Sequence, residues 1–138
     1  MPRLPALLLA CTLATSAWAD AEPVTVTPVL TTTQTAAGQP IPLPQGTPQV
    51  TVSEFEIAPG AQLPVHRHPF PRMAYVLAGH LVVTNEETGQ DTGYAAGEFV
   101  VEMVDAWHHG RNDGTVPLRL LVIDLVPEGQ SNTVLQDP

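Results

Sequence analysis

Residues 60–80 read GAQLPVHRHPFPRMAYVLAGH, and this stretch decides the fold. Two of the chain's five histidines, His66 and His68, are separated here by a single residue. In an extended strand such a pair points to one face of the sheet. Gly60 and Gly79 bracket the stretch and are typical of turns. The pattern therefore predicts strands between turns, with one face that could hold a metal ion.

The rest of the chain has the pattern of an all-β protein. Short runs of Val, Ile, Leu, Tyr and Phe recur between Gly, Pro, Asn and Asp, and no long window has the apolar spacing of a helix. Strands are predicted at residues 24–30, 49–57, 63–68, 73–84, 98–104, 107–111 and 118–126. Segments rich in turn-forming residues separate them, most clearly at 58–62, 85–93 and 112–115.

The first 19 residues have the features of a secretory signal peptide. Arg3 precedes an apolar run, and a small-x-small triplet at residues 17–19 precedes Asp20. The apolar run is shorter than the roughly 20 residues that a membrane span needs. We expect cleavage before Asp20, no stable membrane insertion and a periplasmic or secreted mature protein. A lipoprotein alternative stays open, because the letters before Cys11 resemble a lipobox.

Charge and cysteine content exclude several kinds of chemistry. The chain after Arg3 carries four arginines, no lysine and all 14 acids, so nucleic acid is not an expected partner. The single cysteine, Cys11, would leave with the signal peptide, which removes disulfides, thiol nucleophiles and thiolate ligands. Any metal ion must therefore be bound by histidine and oxygen atoms.

The mature chain has the length of one domain. We divide it into an N-terminal strand and proline-rich arm at residues 20–47, a barrel at 48–130 and a C-terminal tail at 131–138. The arm is interpreted as a solvated loop, with a flap over a pocket mouth or a contact with a second subunit as the alternative.

A second histidine motif lies in GEFVVEMVDAWHHGRN, residues 97–112. Its His108 follows Gly97 by eleven residues and precedes Asn112 by four. With the glycines that flank the first motif, these spacings resemble the two motifs of the cupin superfamily. The first family motif is glycine, five residues, His-x-His, three or four residues, glutamate, six residues and glycine. The second is glycine, five residues, Pro-x-Gly-x-x-His, three residues and asparagine, and this chain departs from it with Met103 and Asp105 at the proline and the second glycine. The resemblance spans about residues 50–126.

The resemblance implies a double-stranded β-helix, the jelly-roll barrel of cupins, with one divalent metal ion bound by His66, His68 and His108. The position of the family's glutamate ligand holds Arg72, which has no lone pair for a metal ion. A three-histidine centre follows, unless Glu102 supplies the carboxylate from a neighbouring strand. Arg72 either points inward and anchors a substrate carboxylate or points outward and pairs with an acid.

Three-histidine cupin centres resemble those of dioxygenases, so the resemblance favours an Fe(II)-dependent, dioxygenase-like oxidoreductase that acts on a small organic anion. Zn, Ni and Cu also suit three imidazoles. The alternatives are a non-catalytic module that binds metal or a small ligand, and an interaction domain with an empty pocket. A homodimer is expected from the family alone. His80 and His109 are predicted to lie on the surface, although a register slip would exchange His108 and His109.

Overall fold

The structure is a computed structural model and describes residues 24–137. The predicted signal peptide lies outside these residues. In the described part no helix is long and apolar enough to cross a membrane. Its regular elements are the strands β1 Pro48–Ile57, β2 His66–Arg67, β3 Arg72–Ala78, β4 His80–Asn85, β5 Gln90–Ala95, β6 Phe99–Val101, β7 His108–Asn112, β8 Leu118–Pro127 and β9 Val134–Leu135.

The strands form two antiparallel sheets that enclose one core. One sheet has the order β1-β8-β3-β6 and the other has the order β5-β4-β7-β2-β9. Alternate residues point inward, so the apolar β-branched and leucine side chains of both sheets meet inside. The buried cluster includes Ala74, Val76, Leu81, Val83, Leu118, Leu120 and Val122. The predicted all-β jelly roll is confirmed.

The predicted strand over residues 73–84 is two strands in the structure. They meet at Gly79, whose φ of 82° is a left-handed conformation. A Cβ atom at this position would lie 2.8 Å from the Cα atom of Leu118. Only glycine fits this bend without displacing β8, and the bend carries the chain from one sheet to the other.

A predicted strand and a predicted turn were wrong, and the predicted tail includes a short strand. Residues 24–30 form no strand, because no neighbouring strand pairs with them and Val24 and Val26 are 93% and 82% exposed. The predicted turn at 85–93 contains most of β5, an exposed edge strand. Its polar sequence lacks the alternating apolar residues by which a strand is predicted. The predicted tail contains β9, which at two residues is too short to give a sequence pattern.

The arm is mostly exposed but is fixed to the barrel. The backbone N–H of Ala36 donates to Val101 at the edge of β6. The Gln39 side chain donates to the carbonyl of Val104 at 2.8 Å and accepts from its N–H at 3.0 Å. The arm therefore braces the loop between β6 and β7, which carries Glu102.

Candidate metal centre

The three histidines of the two motifs converge inside the barrel. His66 on β2 pairs directly with His108 on β7, and His68 follows two residues after His66. All three side chains are buried, with 5%, 0% and 1% of His66, His68 and His108 exposed. Their ring centroids lie 4.6 to 5.0 Å apart. The predicted common face of His66 and His68 therefore agrees with the structure.

Backbone carbonyls fix the orientation of each imidazole. The Nδ1–H of His66 donates to Pro64 at 2.8 Å, that of His68 to Asn132 at 2.6 Å, and that of His108 to Ala106 at 2.8 Å. A carbonyl only accepts, so each Nδ1 carries the proton and each neutral ring has its lone pair on Nε2. This arrangement is the one that orients histidine ligands toward a metal ion.

Glu102 completes the cluster and supplies the carboxylate that is missing at position 72. Its Oε2 atom lies 3.1 Å from Nε2 of His68 and 3.2 Å from Nε2 of His108. The backbone N–H of Glu102 donates to the carbonyl of Arg72 at 2.8 Å, so the two residues are neighbours across β3 and the end of β6. The carboxylate therefore comes from the chain just after β6 and not from position 72, as the alternative with Glu102 predicted.

The electrostatics of the cluster depend on burial and on Glu102. Burial lowers the pKa of His66 to about 4. Burial also opposes charge on Glu102, but hydrogen bonds from His108 and His68 outweigh it and hold the pKa of Glu102 well below its usual range. Burial lowers the pKa of His108, but the hydrogen bond and charge of Glu102, together with the bond to Ala106, outweigh burial and raise that pKa overall. Glu102 therefore favours a proton on His108, which a metal ion bound there would displace.

The donor set fits a divalent metal ion. One atom from each of His66, His68, Glu102 and His108 lies within 4.8 Å of the other three. Two ligands at about 2.1 Å from a shared metal ion lie roughly 3.0–3.4 Å apart, which is close to the two distances from Glu102. Two neutral Nε2 atoms and a carboxylate are all acceptors, so a proton or a cation must lie among them.

Arg72 is buried, and it pairs with an acid inside the barrel. Its Nε and Nη2 atoms donate to the two carboxylate oxygens of Asp124 at 2.8 and 2.9 Å. Nη2 also approaches Thr133 Oγ1 at 3.3 Å, and Nη1 lies 3.4 Å from Nε2 of His68. The side chain therefore points inward, as the first alternative predicted, and pairs with an acid, as the second predicted, while its role as a substrate anchor stays a prediction.

The C-terminal residues contribute more than the sequence indicated. Asn132 is buried, its carbonyl accepts from His68, and its side-chain amide donates to Asp124 at 2.6 Å. Its Oδ1 atom accepts from the N–H of Phe70 at 2.9 Å. Asn132 therefore connects a proposed metal ligand to the partner of Arg72. Sequence reasoning missed Asn132 and Asp124, since neither stands in a recognisable motif.

Two spaces that share four lining residues adjoin the cluster. The inner cavity, with a volume of about 20 Å³, has apolar walls that include Leu81, Val83, Leu120 and Val122. The vestibule outside it has a volume of about 160 Å³. It is lined by Phe55, Leu63, Pro64, His66, Arg72, Thr133 and Leu135. Phe55, Leu63, His66 and Arg72 line both spaces, so a ligand in the vestibule contacts His66 of the cluster and Arg72.

The remaining histidines lie outside the cluster. His109 alternates with His108 along β7, and its Nδ1 lies 2.5 Å from Glu86 on the outer surface. His80 pairs with Asp113 at 2.8 Å in an exposed position. The predicted register at His108 and His109 therefore agrees with the structure.

Comparisons with known proteins agree with the barrel fold. The chain matches the family described as Cupin domain over residues 53–124. Oxalate decarboxylase from Lactobacillus farciminis, solved as a formate complex, shares 26% identity with a TM-score of 0.54 over 62% of this chain and 26% of that chain. DMSP lyase DddQ from Ruegeria pomeroyi shares 21% identity with a TM-score of 0.54 over 63% and 43%. A Klebsiella pneumoniae protein with a double-stranded β-helix domain shares 20% identity with a TM-score of 0.53 over 71% and 91%.

The chain spans about a quarter of the oxalate decarboxylase and less than half of the DMSP lyase. No curated protein shows a significant match. The family match covers more than half of the chain and includes both histidine motifs. Together with the two-sheet barrel, it shows that the chain belongs to the cupin family.

Proposed function

We propose that the protein binds one divalent metal ion through His66, His68, His108 and Glu102 and presents it to a small organic anion. The observation that carries the proposal is the fixed orientation of the three imidazoles. Each Nδ1–H is held by a carbonyl, which leaves the three Nε2 atoms to bind a metal ion, and those of His68 and His108 face the carboxylate of Glu102. Such outer hydrogen bonds are costly to maintain in a core and are typical of metal centres.

Arg72 is the proposed anchor for the anion. Asp124 and Thr133 take Nε and Nη2, whereas the only polar neighbour of Nη1 among the described residues is Nε2 of His68. A metal ion on that Nε2 would leave Nη1 with two N–H donors and no protein acceptor. A divalent ion with Arg72, Glu102 and Asp124 leaves one positive charge in the buried centre, which a monoanion would neutralise.

The enzymatic form of the proposal is a dioxygenase-type oxidoreductase. Among the described residues that line the inner cavity, the polar side chains are Arg72 and three of the proposed ligands, so none is free to act as a base or an acid. Chemistry supplied by the metal ion suits such a cavity best. An Fe(II) ion there would supply redox chemistry and Lewis acidity. Arg72 would orient the anion, and the apolar walls would exclude water.

A second candidate is decarboxylation of a small carboxylate. It is favoured by the 26% identity with an oxalate decarboxylase, a protein solved with formate. A non-catalytic module that binds metal and anion without turnover is the third possible outcome.

The proposal is tested with iron-loaded protein and a panel of small carboxylates, while dissolved O₂ and released CO₂ are recorded. Carboxylate-dependent O₂ uptake supports the oxidoreductase, CO₂ release without O₂ uptake supports the decarboxylase, and binding with neither supports the module. Arg72→Lys keeps the charge but loses the planar fork, so anion affinity should fall about tenfold while metal binding is retained. Metal-loaded protein that binds none of the anions would refute the proposal.

We also propose that the protein is exported, on the signal-peptide features of residues 1–19. Mass spectrometry of protein from the native compartment should give a chain that begins at Asp20. A lipidated Cys11 or an intact Met1 would contradict cleavage at that site.

A further inference from the structure

The walls of the vestibule differ sharply in polarity from the cluster beneath them. Phe55, Leu63, Pro64 and Leu135 contribute apolar surface, and Thr133 contributes one hydroxyl, which lies 3.3 Å from Arg72. Among the described residues that line the vestibule and the inner cavity, Arg72 is the only basic side chain of the Lys/Arg type. The guanidinium carbon of Arg72 also lies 5.9 Å from the ring centre of Phe55. Charge recognition is therefore confined to the inner end of the vestibule.

A ligand must therefore carry its charge at the inner end of the vestibule and its apolar atoms along the walls. One carboxylate can lie at the metal centre and take the free Nη1 donors of Arg72, because charge-assisted hydrogen bonds are strong in a buried site. A second carboxylate on a short chain would lie among apolar side chains with no cation beside it. Burial of an unpaired charge is strongly unfavourable, so dicarboxylates are poor matches for the vestibule.

The size of the vestibule limits the chain length. Its volume of about 160 Å³ is small. This space therefore admits only a short chain behind the carboxylate. A longer chain would leave the barrel at the rim formed by β9.

We propose that the centre selects monocarboxylates with a short apolar chain over dicarboxylates, and that Leu135 at the rim sets this preference. The inference rests on the proposed function and adds its substrate class. Leu135 lines the vestibule and is 58% exposed, so a longer polar side chain can be placed there without opening the core. Val134 is its neighbour on the same short strand and lies on the opposite face, outside the vestibule.

The test uses full-length protein loaded with Zn(II), which has no redox chemistry and therefore separates binding from turnover. Isothermal titration calorimetry measures the affinities of butanoate, pentanoate, malonate and succinate. We expect butanoate and pentanoate to bind at least about tenfold more tightly than the two dicarboxylates. Leu135→Arg should raise succinate affinity about tenfold and lower butanoate affinity, because it places a cation at the rim.

Val134→Arg is the matched control, since it adds the same charge to the same strand on the other face. It should leave both affinities within about twofold, which separates local recognition from a general change in the charge of an acidic protein. Dicarboxylates that bind the parent as tightly as butanoate would overturn the inference, and so would equal effects of the two arginine variants. Those outcomes leave the proposed function intact, whereas zinc-loaded protein that binds no anion at all would refute the proposed function itself.

Discussion

Replacement of Glu102 by glutamine should change metal affinity and metal-free stability in different directions. Glu102 supplies one of the four donor atoms and the only negative charge among them. Changes in groups that merely support metal ligands typically cost 10- to 100-fold in affinity, so loss of the charged ligand should cost at least about 100-fold. That factor corresponds to about 2.7 kcal/mol of metal-linked stability. For a chain of this size, the loss of that stability lowers the metal-induced rise in Tm by about 8 °C.

The metal-free variant should behave differently. The carboxylate of Glu102 raises the pKa of His108 and lies 3.1 Å from Nε2 of His68. The glutamine amide can donate to one of these Nε2 atoms without any buried charge. Because His108 can be neutral beside an amide, the change leaves no unpaired charge at this position, and the Tm of metal-free Glu102→Gln should equal or exceed that of the parent.

The assay is differential scanning calorimetry with and without saturating Ni(II), together with calorimetric titration of Ni(II) into metal-free protein. Glu86→Gln is the matched control, because Glu86 pairs with His109 on the outer surface. It should leave Ni(II) affinity unchanged. If Glu102→Gln binds Ni(II) as tightly as the parent and shows the same rise in Tm, the carboxylate is not a ligand and the reasoning is refuted.

Three further predictions concern the proton released when Ni(II) binds, the bend at Gly79 and the contacts of Asn132. Because the pKa of His108 is raised, Ni(II) binding at a pH well below that pKa should release about one proton per ion, and affinity should rise with pH until His108 is neutral. Titrations in buffers of different ionisation enthalpy measure this, and zero release would contradict it. Gly79→Ala should destabilise the fold by at least about 2 kcal/mol in urea unfolding, whereas Gly97→Ala, with no atom near its added Cβ, should cost only about 1 kcal/mol. Equal costs would contradict the steric argument. Asn132→Ala should lower the free energy of unfolding by about 1–3 kcal/mol and weaken Ni(II) binding, because Asn132 contacts His68. An unchanged Ni(II) affinity would show that the C-terminal contacts do not position His68.

The histidines could be predicted from sequence because their arrangement is local. A one-residue separation on a strand fixes the common face of His66 and His68, and alternation on β7 separates His108 from His109. Glu102 could only be suggested, since its place beside the histidines depends on the pairing of β3 with the chain after β6. That pairing joins residues thirty positions apart, and no sequence spacing reports it.

Other features depended on tertiary neighbours that the sequence does not reveal. Residues 24–30 alternate like a strand but have no partner strand, so they stay exposed. β9 has two residues and no pattern, yet it pairs with β2 and lies at the rim of the vestibule. The position of Asp124 inside the barrel follows from β8 alternation, but its pairing with Arg72 requires the register between β8 and β3.

The central claim is that one divalent metal ion binds inside the barrel at His108 and not at its neighbour. The most direct test is calorimetric titration of Ni(II) into metal-free parent, His108→Ala and His109→Ala proteins, with circular dichroism to verify that each is folded. The account predicts one ion per chain for the parent and for His109→Ala, with similar affinities, and an affinity at least about 100-fold lower for His108→Ala. A folded His108→Ala protein that binds Ni(II) as tightly as the parent would contradict the account.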